Sequence, residues 1–268
     1  MKYEFTGEER VNSNSNRVTV RQIRRLTDGA LGGWIQAESN LAQEGEAWVS
    51  DNAEVFGNAT VSGDSRVYYC AQIFGNATVS GNAKISGTAT ISGNAKISGD
   101  VKIFGSAKIS GDATITDNAI ISGTITDNAI ISGDATITDN AIISGDATVS
   151  GHATVSGHAT VSGDSIITGD AEIFDNAKIS GNAEVSGDSR VFNYATISDN
   201  AIVCGNAIVC GDAIIRGDAT ASGDAIISNN AIISGDSIIT GDAEIFGNAN
   251  GDTIRTGTVS GDEYAKEE

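Results

Sequence analysis

From residue 45 onward, apolar and polar positions recur with a period of six: GEAWVS, DNAEVF, GNATVS, GDSRVY, YCAQIF, GNATVS, GNAKIS. The frame is Gly/Asp, Asp/Asn, Ala, a variable residue, Ile/Val, then Ser/Phe/Thr, and it runs to GDAEIF at 241–246. It holds 33 full hexads and one shortened side, GTIT at 123–126. The fifth slot is Ile or Val everywhere except Ala221; the third is Ala except at Ser65, Val101, Ser165, Ser189 and Ser237. Residues two apart share one face of a strand, so each Ala and the following Ile/Val predict a short strand with one buried side. The Gly-Asn or Gly-Asp pair then turns a corner, since Gly, and after it Asn and Asp, tolerate positive φ. Three such sides close a triangular coil, with three hexads to the turn. Stacked coils pair in parallel and bury a thin column of Ala and Ile/Val. A strict internal period of this kind is the signature of a solenoid, and the thirty-four sides predict about eleven coils.

Composition agrees with that picture and removes others. Glycine numbers 33, proline is absent, aromatics are 5%, and the 40% apolar share is almost all Ala, Ile and Val. Globular cores interdigitate bulky side chains, which this chain lacks. The missing proline excludes a collagen-like helix. No apolar run approaches the length that a membrane span needs, so none is expected. The start, MKYEFTGEER, has no apolar stretch of the kind a secretory signal needs. The net charge of -19 argues against binding to nucleic-acid phosphates as a bulk property. Residues 1–44 carry six basic and six acidic groups, so the whole -19 follows them. Cys70, Cys204 and Cys210 form no metal-ligand spacing. An odd count without a secretion signal predicts a reducing, cytoplasmic setting. The expected organisation is an N-terminal β cap at 1–44, the repeat at 45–250, and a C-terminal end with a charged tail at 251–268.

The frame resembles the left-handed parallel β-helix of hexapeptide-repeat proteins, in which a small residue follows an aliphatic one by four positions, as Ala89 follows Ile85. The left hand is what this resemblance implies; periodicity does not supply it. The start of the chain is similar to the YdcK-like group of bacterial and phage hexapeptide-repeat proteins. The shared pieces are VRQI (20–23), LTD (26–28), GGWI (32–35) and NLAQEGEAWV (40–49), running into DNAEVFGNATV (51–61). Some members of that group carry an acyltransferase label. The resemblance therefore implies acyl transfer as an alternative function, with a histidine base that activates a substrate hydroxyl or amine.

His152 and His158, in GHATVSGHATVS, are the two candidates for such a base. Both occupy the second, corner slot where Asp or Asn normally sits, and they fall on different corners. They read as corner residues, so no catalytic residue, cofactor or metal is expected; three imidazoles for a zinc site are not available. Stacked Asp at corners reads as turn geometry and solubility, and an acidic DNA mimic is countered by Lys84, Lys96, Lys102 and Lys108 in the middle coils. The Thr-x-Thr triplets at 114–116, 124–126 and 136–138 fall on three faces, so no ice-binding ladder forms. Two features point outward. Ile202, Ile208, Ile214, Ile226, Ile232 and Ile238 occupy the variable slot, expected to be exposed on all three faces of two coils, as interface candidates. Phe56 and Phe74, and Phe174 and Phe192, are each one coil apart and are expected to stack. The expected function is a non-enzymatic rigid structural or interaction solenoid that assembles with itself or a protein partner, with no membrane involved.

Overall fold

The computed structural model describes residues 1–12 and 17–246, together with the backbone of the strands Ala249–Asn250, Ile254–Arg255, Thr258–Val259 and Glu263–Tyr264. Most of the charged tail thus lies outside the described residues. The fold is an all-β parallel solenoid of about twelve turns spaced 18 residues apart. It divides into two compact units, Met1–Asn128 and Ala129–Glu268.

The first unit opens with three longer strands, β1 (Tyr3–Val11), β2 (Thr19–Arg25) and β3 (Leu31–Ile35). β1 and β2 pair antiparallel, as do β2 and β3. β3 then pairs in parallel with Glu54–Val55, so the stack begins inside the segment expected to be only a cap. From Trp48 on, two-residue strands recur at the hexad period. Glu54–Val55, Gln72–Ile73, Thr90–Ile91 and Lys108–Ile109 lie in one sheet; Thr60–Val61, Thr78–Val79 and Lys96–Ile97 lie in a second; Trp48–Val49, Arg66–Val67, Lys84–Ile85 and Lys102–Ile103 lie in a third. The second unit repeats this arrangement, with its three sheets starting at Ile130, Thr136 and Ile142. Its pairing continues past residue 250, since Ile238–Ile239 pairs with Ile254–Arg255. These extensions at both ends account for the extra turn over the expected eleven.

The inward frame is as the hexads predict. Third-slot Ala and fifth-slot Ile/Val are fully buried along both units, including Ala135, Ile137, Ala171 and Ile173. In the third slot, Ser65, Ser165 and Ser237 are equally buried, and each hydroxyl donates to the carbonyl three residues earlier at 2.6, 2.6 and 2.7 Å. Ser189 is buried in the same slot, but its hydroxyl has no partner among the described residues.

Corners follow from φ. The first slot of the described hexads is left-handed, from Gly163 at +71° to Asp175 and Asn193 at +59° and +61°. Glycine does more than relieve φ here. A Cβ on Gly87 would sit 2.4 Å from the carbonyl oxygen of Gly105 one turn below. Gly105 is the exception, meeting only Ser122 Cβ at 3.7 Å, because the GTIT side below it lacks its two corner residues and Gly123 takes the inward slot. Where Asp occupies the first slot, its carboxylate accepts from the next turn's backbone: Asp51 from Tyr69 N–H at 2.9 Å, Asp139 from Gly157 N–H at 3.2 Å.

Outside the paired strand residues, the turn-to-turn bonds run one way. Thr60, Ser62 and Asp64 donate their N–H groups to the carbonyls of Ala77, Val79 and Gly81 in the next turn. The N-terminal edge therefore presents carbonyls, and the cap answers with donors. Lys2 Nζ donates to Ala47 O at 2.8 Å, Asn40 Nδ2 to Gly57 O and Ala59 O at 3.0 and 2.8 Å, and Arg10 Nη2 to Asn52 O at 3.1 Å.

Candidate functional site

The outward fourth slot and the corners carry the side chains available for function, because the interior is a closed apolar column. His152 and His158 are both exposed corner residues in successive hexads, and the structure does not bring them together. His152 Nδ1 lies 3.2 Å from Asp134 Oδ2, one turn away on the same corner column. No group of three His, Cys, Asp or Glu side chains able to hold a metal ion occurs among the described residues. Burial pushes the thiols of Cys204 and Cys210 up, which disfavours the reactive thiolate.

A cleft of about 450 Å³ lies between the cap and the first turns, lined by Arg10, Val11, Asn52, Glu54 and Cys70. Its charges are already engaged. Arg10 Nη2 is 2.9 Å from Glu54 Oε1, its guanidinium lies 4.2 Å above the Trp34 ring, and Gln72 Nε2 donates to Glu54 Oε2 at 3.1 Å. Both carboxylate oxygens of this buried glutamate are thus occupied, an arrangement that anchors the cap rather than serving proton transfer.

The aromatic pairs stack as their one-turn spacing predicts: Phe56 on Phe74 with centroids 5.0 Å apart, Phe174 on Phe192 at 4.7 Å, each within 4° of parallel. The second-slot asparagines form ladders that corner geometry alone does not demand. Asn58 Nδ2 donates to Asn76 Oδ1, Asn76 to Asn94, and Asn94 to Asp112, at 3.0, 2.9 and 2.6 Å. Asn182, Asn200 and Asp218 repeat the pattern at 3.0 and 2.8 Å. An amide accepts above and donates below, whereas a carboxylate only accepts, so each ladder ends on Asp.

The six interface candidates are not equally exposed, which corrects the expectation of apolar surface on all three faces. Ile202 and Ile238 are exposed, but Ile208, Ile214, Ile226 and Ile232 are half-buried. The cause is register. Ile208 stacks directly on Ile226, and Ile214 on Ile232, so each pair covers itself. Ile202 and Ile238 instead flank the smaller Thr220. The same alternation extends along the whole face. Ile130, Ile166, Ile202 and Ile238 stand 36–44% exposed on every second turn of one sheet, with Thr148, Glu184 and Thr220 between them. A sequence reading by coil looks around the triangle and misses this row; reading in steps of two turns finds it. At ~4.8 Å per turn the isoleucines are roughly 10 Å apart.

Charge is divided as unevenly as apolar surface. Met1–Asn128 holds 11 basic and 14 acidic residues, a net -3, while Ala129–Glu268 holds 5 and 21, a net -16. In the first unit Arg66, Lys84 and Lys102 are exposed and stacked in register on three consecutive turns. None of the three has an ion-pair partner among the described residues. No helix among them is long and apolar enough to cross a membrane.

Turns spaced 18 residues apart, two-residue strands and an Ala/Ile column define a parallel β-solenoid repeat protein. Three stretches, 53–69, 71–87 and 107–123, match the model of the YdcK β-solenoid repeat. The chain is also 39% identical over 72 residues to "Uncharacterized acetyltransferase YdcK" of Escherichia coli (strain K12), a match covering 22% of each protein. The repeats are thus similar to those of YdcK, and the chain aligns with about a fifth of that relative's length.

Proposed function

We propose that this protein is a non-enzymatic solenoid that works as a rigid interaction surface, assembling with itself or with a protein partner. The observation carrying this reading is the row of exposed isoleucines at Ile130, Ile166, Ile202 and Ile238 on one face of the second unit. Single exposed apolar side chains are ordinary, but four in register on one face, repeating every second turn, support an interaction face. Alternation of large and small residues along it supplies ridges and gaps that an opposing surface fills, as between packed sheets. Left-handed winding and a cytoplasmic setting belong to this proposal, on the strength of the resemblance and the cysteine usage. The test is light scattering on a variant with Ser at these four positions, beside one with Ser at Ile208, Ile214, Ile226 and Ile232. The first loses association and the second keeps it, with β circular dichroism retained in both; equal behaviour of the two overturns the reading.

A second reading, acyl transfer, is favoured by the name of the Escherichia coli relative. His152 or His158 would then act as general base against a partner subunit's surface. Replacing both by Asn leaves any acyl-CoA-dependent activity unchanged on the interaction reading. Loss of such activity in the double variant reverses the order of the two.

A further inference from the structure

The interaction reading leaves open what sits on the isoleucine row, and the residues bordering it narrow the choice. Each hexad enters the face by one corner and leaves by another. The second slot of the entering corner holds Asp146, Asp164, Asp218 and Asp236; the leaving one holds Asp134, Asp170, Asp188, Asp224 and Asp242, all exposed. Carboxylates thus border the apolar row on both sides, interrupted by Asn128, Asn182 and Asn200 on one and by His152 and Asn206 on the other, and Glu184 is the one charged side chain standing on it among the described residues. Asp146 and Asp164, and Asp170 and Asp188, sit on consecutive turns, as the registers of the strands they precede show. No Asn separates the members of either pair, so the alternation that links Asn200 to Asp218 is missing there.

Two copies of this face cannot pack on each other without setting carboxylate border against carboxylate border, which costs energy at close range. The complementary surface must be apolar along its centre and cationic at its edges. Long basic side chains supply both, because their methylene stems lie on apolar surface while the charged heads reach outward. The chain itself carries such a surface in Arg66, Lys84 and Lys102. Like charges directly opposite on neighbouring strands are destabilising, and these three have no internal counter-ion among the described residues. Their spacing is the decisive point. The basic ladder advances one turn, ~4.8 Å, per step, and on the row Asp164 and Asp170 flank the Ile166 turn while Asp188 flanks the next one. A second copy therefore sets its stacked cations against carboxylates on two neighbouring turns.

We infer that the partner on the isoleucine row is a second copy of this chain. Arg66, Lys84 and Lys102 of one copy lay their stems along Ile166 and Ile202 of the other and pair with the Asp164, Asp170 and Asp188 border. The inference rests on the self-association reading and deepens it to a heterotypic contact, first unit on second unit.

Two variants test it, both altered at exposed positions and checked for retained β circular dichroism. One carries Arg66→Glu, Lys84→Glu and Lys102→Glu; the other carries Asp164→Lys, Asp170→Lys and Asp188→Lys. Sedimentation velocity reads the association of each, and of the two mixed. Neither associates alone, but the mixture does, because the intact ladder of the second meets the intact border of the first. In the unaltered protein the apparent Kd rises at least tenfold between about 0.1 and about 1 M NaCl, over which the Debye length falls from about 10 to about 3 Å. Association that survives both charge reversals and high salt, yet is lost on replacing the isoleucine row by Ser, overturns the ladder contact and leaves the interaction reading standing. A mixture that stays monomeric while the unaltered protein associates also overturns the contact. An unaltered chain that is monomeric at about 0.1 M salt overturns self-association itself.

Discussion

Ile137 and Ile142 are the same residue type in neighbouring hexads of one unit, and the inward/outward frame sets them apart. Ile137 is fully buried and paired in register with Val155, whereas Ile142 is 41% exposed and paired with Thr160. Aspartate at 137 forfeits the burial of a whole isoleucine side chain, about 1.5–3 kcal/mol. It also places a carboxylate in a column of Ala, Ile and Val with no cation to meet it. An uncompensated buried charge adds a further ~3–5 kcal/mol. The total of roughly 5–8 kcal/mol is comparable with the entire stability of many domains. In a solenoid, each turn touches only its neighbours, so the damage first appears as local opening of the turns around residue 137. Aspartate at 142 loses only the covered part of the side chain, about 1 kcal/mol, since its carboxylate stays hydrated. Denaturant unfolding, followed by circular dichroism and by amide exchange along 119–161, separates the two. Ile137→Asp lowers the midpoint severely and exposes those amides, while Ile142→Asp shifts it slightly. Equal losses at both sites refute the frame on which every assignment of inward and outward residues rests.

Gly87→Ala and Gly105→Ala share the cost of an alanine at positive φ, about 1–2 kcal/mol, but only the first drives a Cβ to 2.4 Å from a carbonyl oxygen; Gly87→Ala is the more destabilising by thermal unfolding, and parity removes the close-approach account of the corner glycines. Ser165→Ala costs about 1 kcal/mol by loss of its 2.6 Å bond, while Ser189→Ala, which removes an unpartnered buried hydroxyl, is neutral or stabilising in the same assay. Burial raises the Tyr3 hydroxyl from 10.0 to about 12, and it donates to Leu41 O at 2.9 Å. Its contribution is therefore complete below pH 10 and is lost as pH rises from 10 to about 12, about 2–3 kcal/mol in all. Tyr3→Phe is less stable at neutral pH, and the difference from the unaltered protein shrinks across that alkaline window in unfolding midpoints; a constant difference contradicts the assignment.

The strands, the buried column and the stacked aromatics are legible in the hexads because each follows from a local rule: period two inside period six, and a tolerant residue at each corner. What a local rule cannot reach is the surface read along the stack. Ile208 and Ile202 occupy the same slot of their hexads, yet one is half-buried and the other exposed. The difference lies one turn away, in Ile226 beneath the first and Thr220 beneath the second. Arg66, Lys84 and Lys102 likewise look like scattered charges until the register lines them up. The correct unit for reading function in such a chain is the column, in steps of one and two turns, not the coil.

Backbone polarity then explains where the basic residues of the first segment come from. Outside the paired strand residues, each turn donates N–H groups toward the C-terminus, so the N-terminal edge is rich in exposed carbonyls. Carbonyl oxygens need donors, and in a protein the donors with reach are Lys, Arg and Asn. Lys2, Arg10 and Asn40 sit where those oxygens are, and Arg21 Nη2 serves Gln36 O at 2.9 Å in the same way. Arg10, Arg21 and Arg25 also stack on Trp34, Phe5 and Trp48. Within the corner ladders the amide donates and the carboxylate accepts, with Asn preceding Asp along the chain in each of these linked pairs. Amide-to-carboxylate donation thus accounts for the linked corners, as the carbonyl-rich edge accounts for the donors of the cap. It also leaves the consecutive aspartates beside the isoleucine row as the acidic residues it does not explain, and it is these that the basic ladder of a second copy is suited to meet.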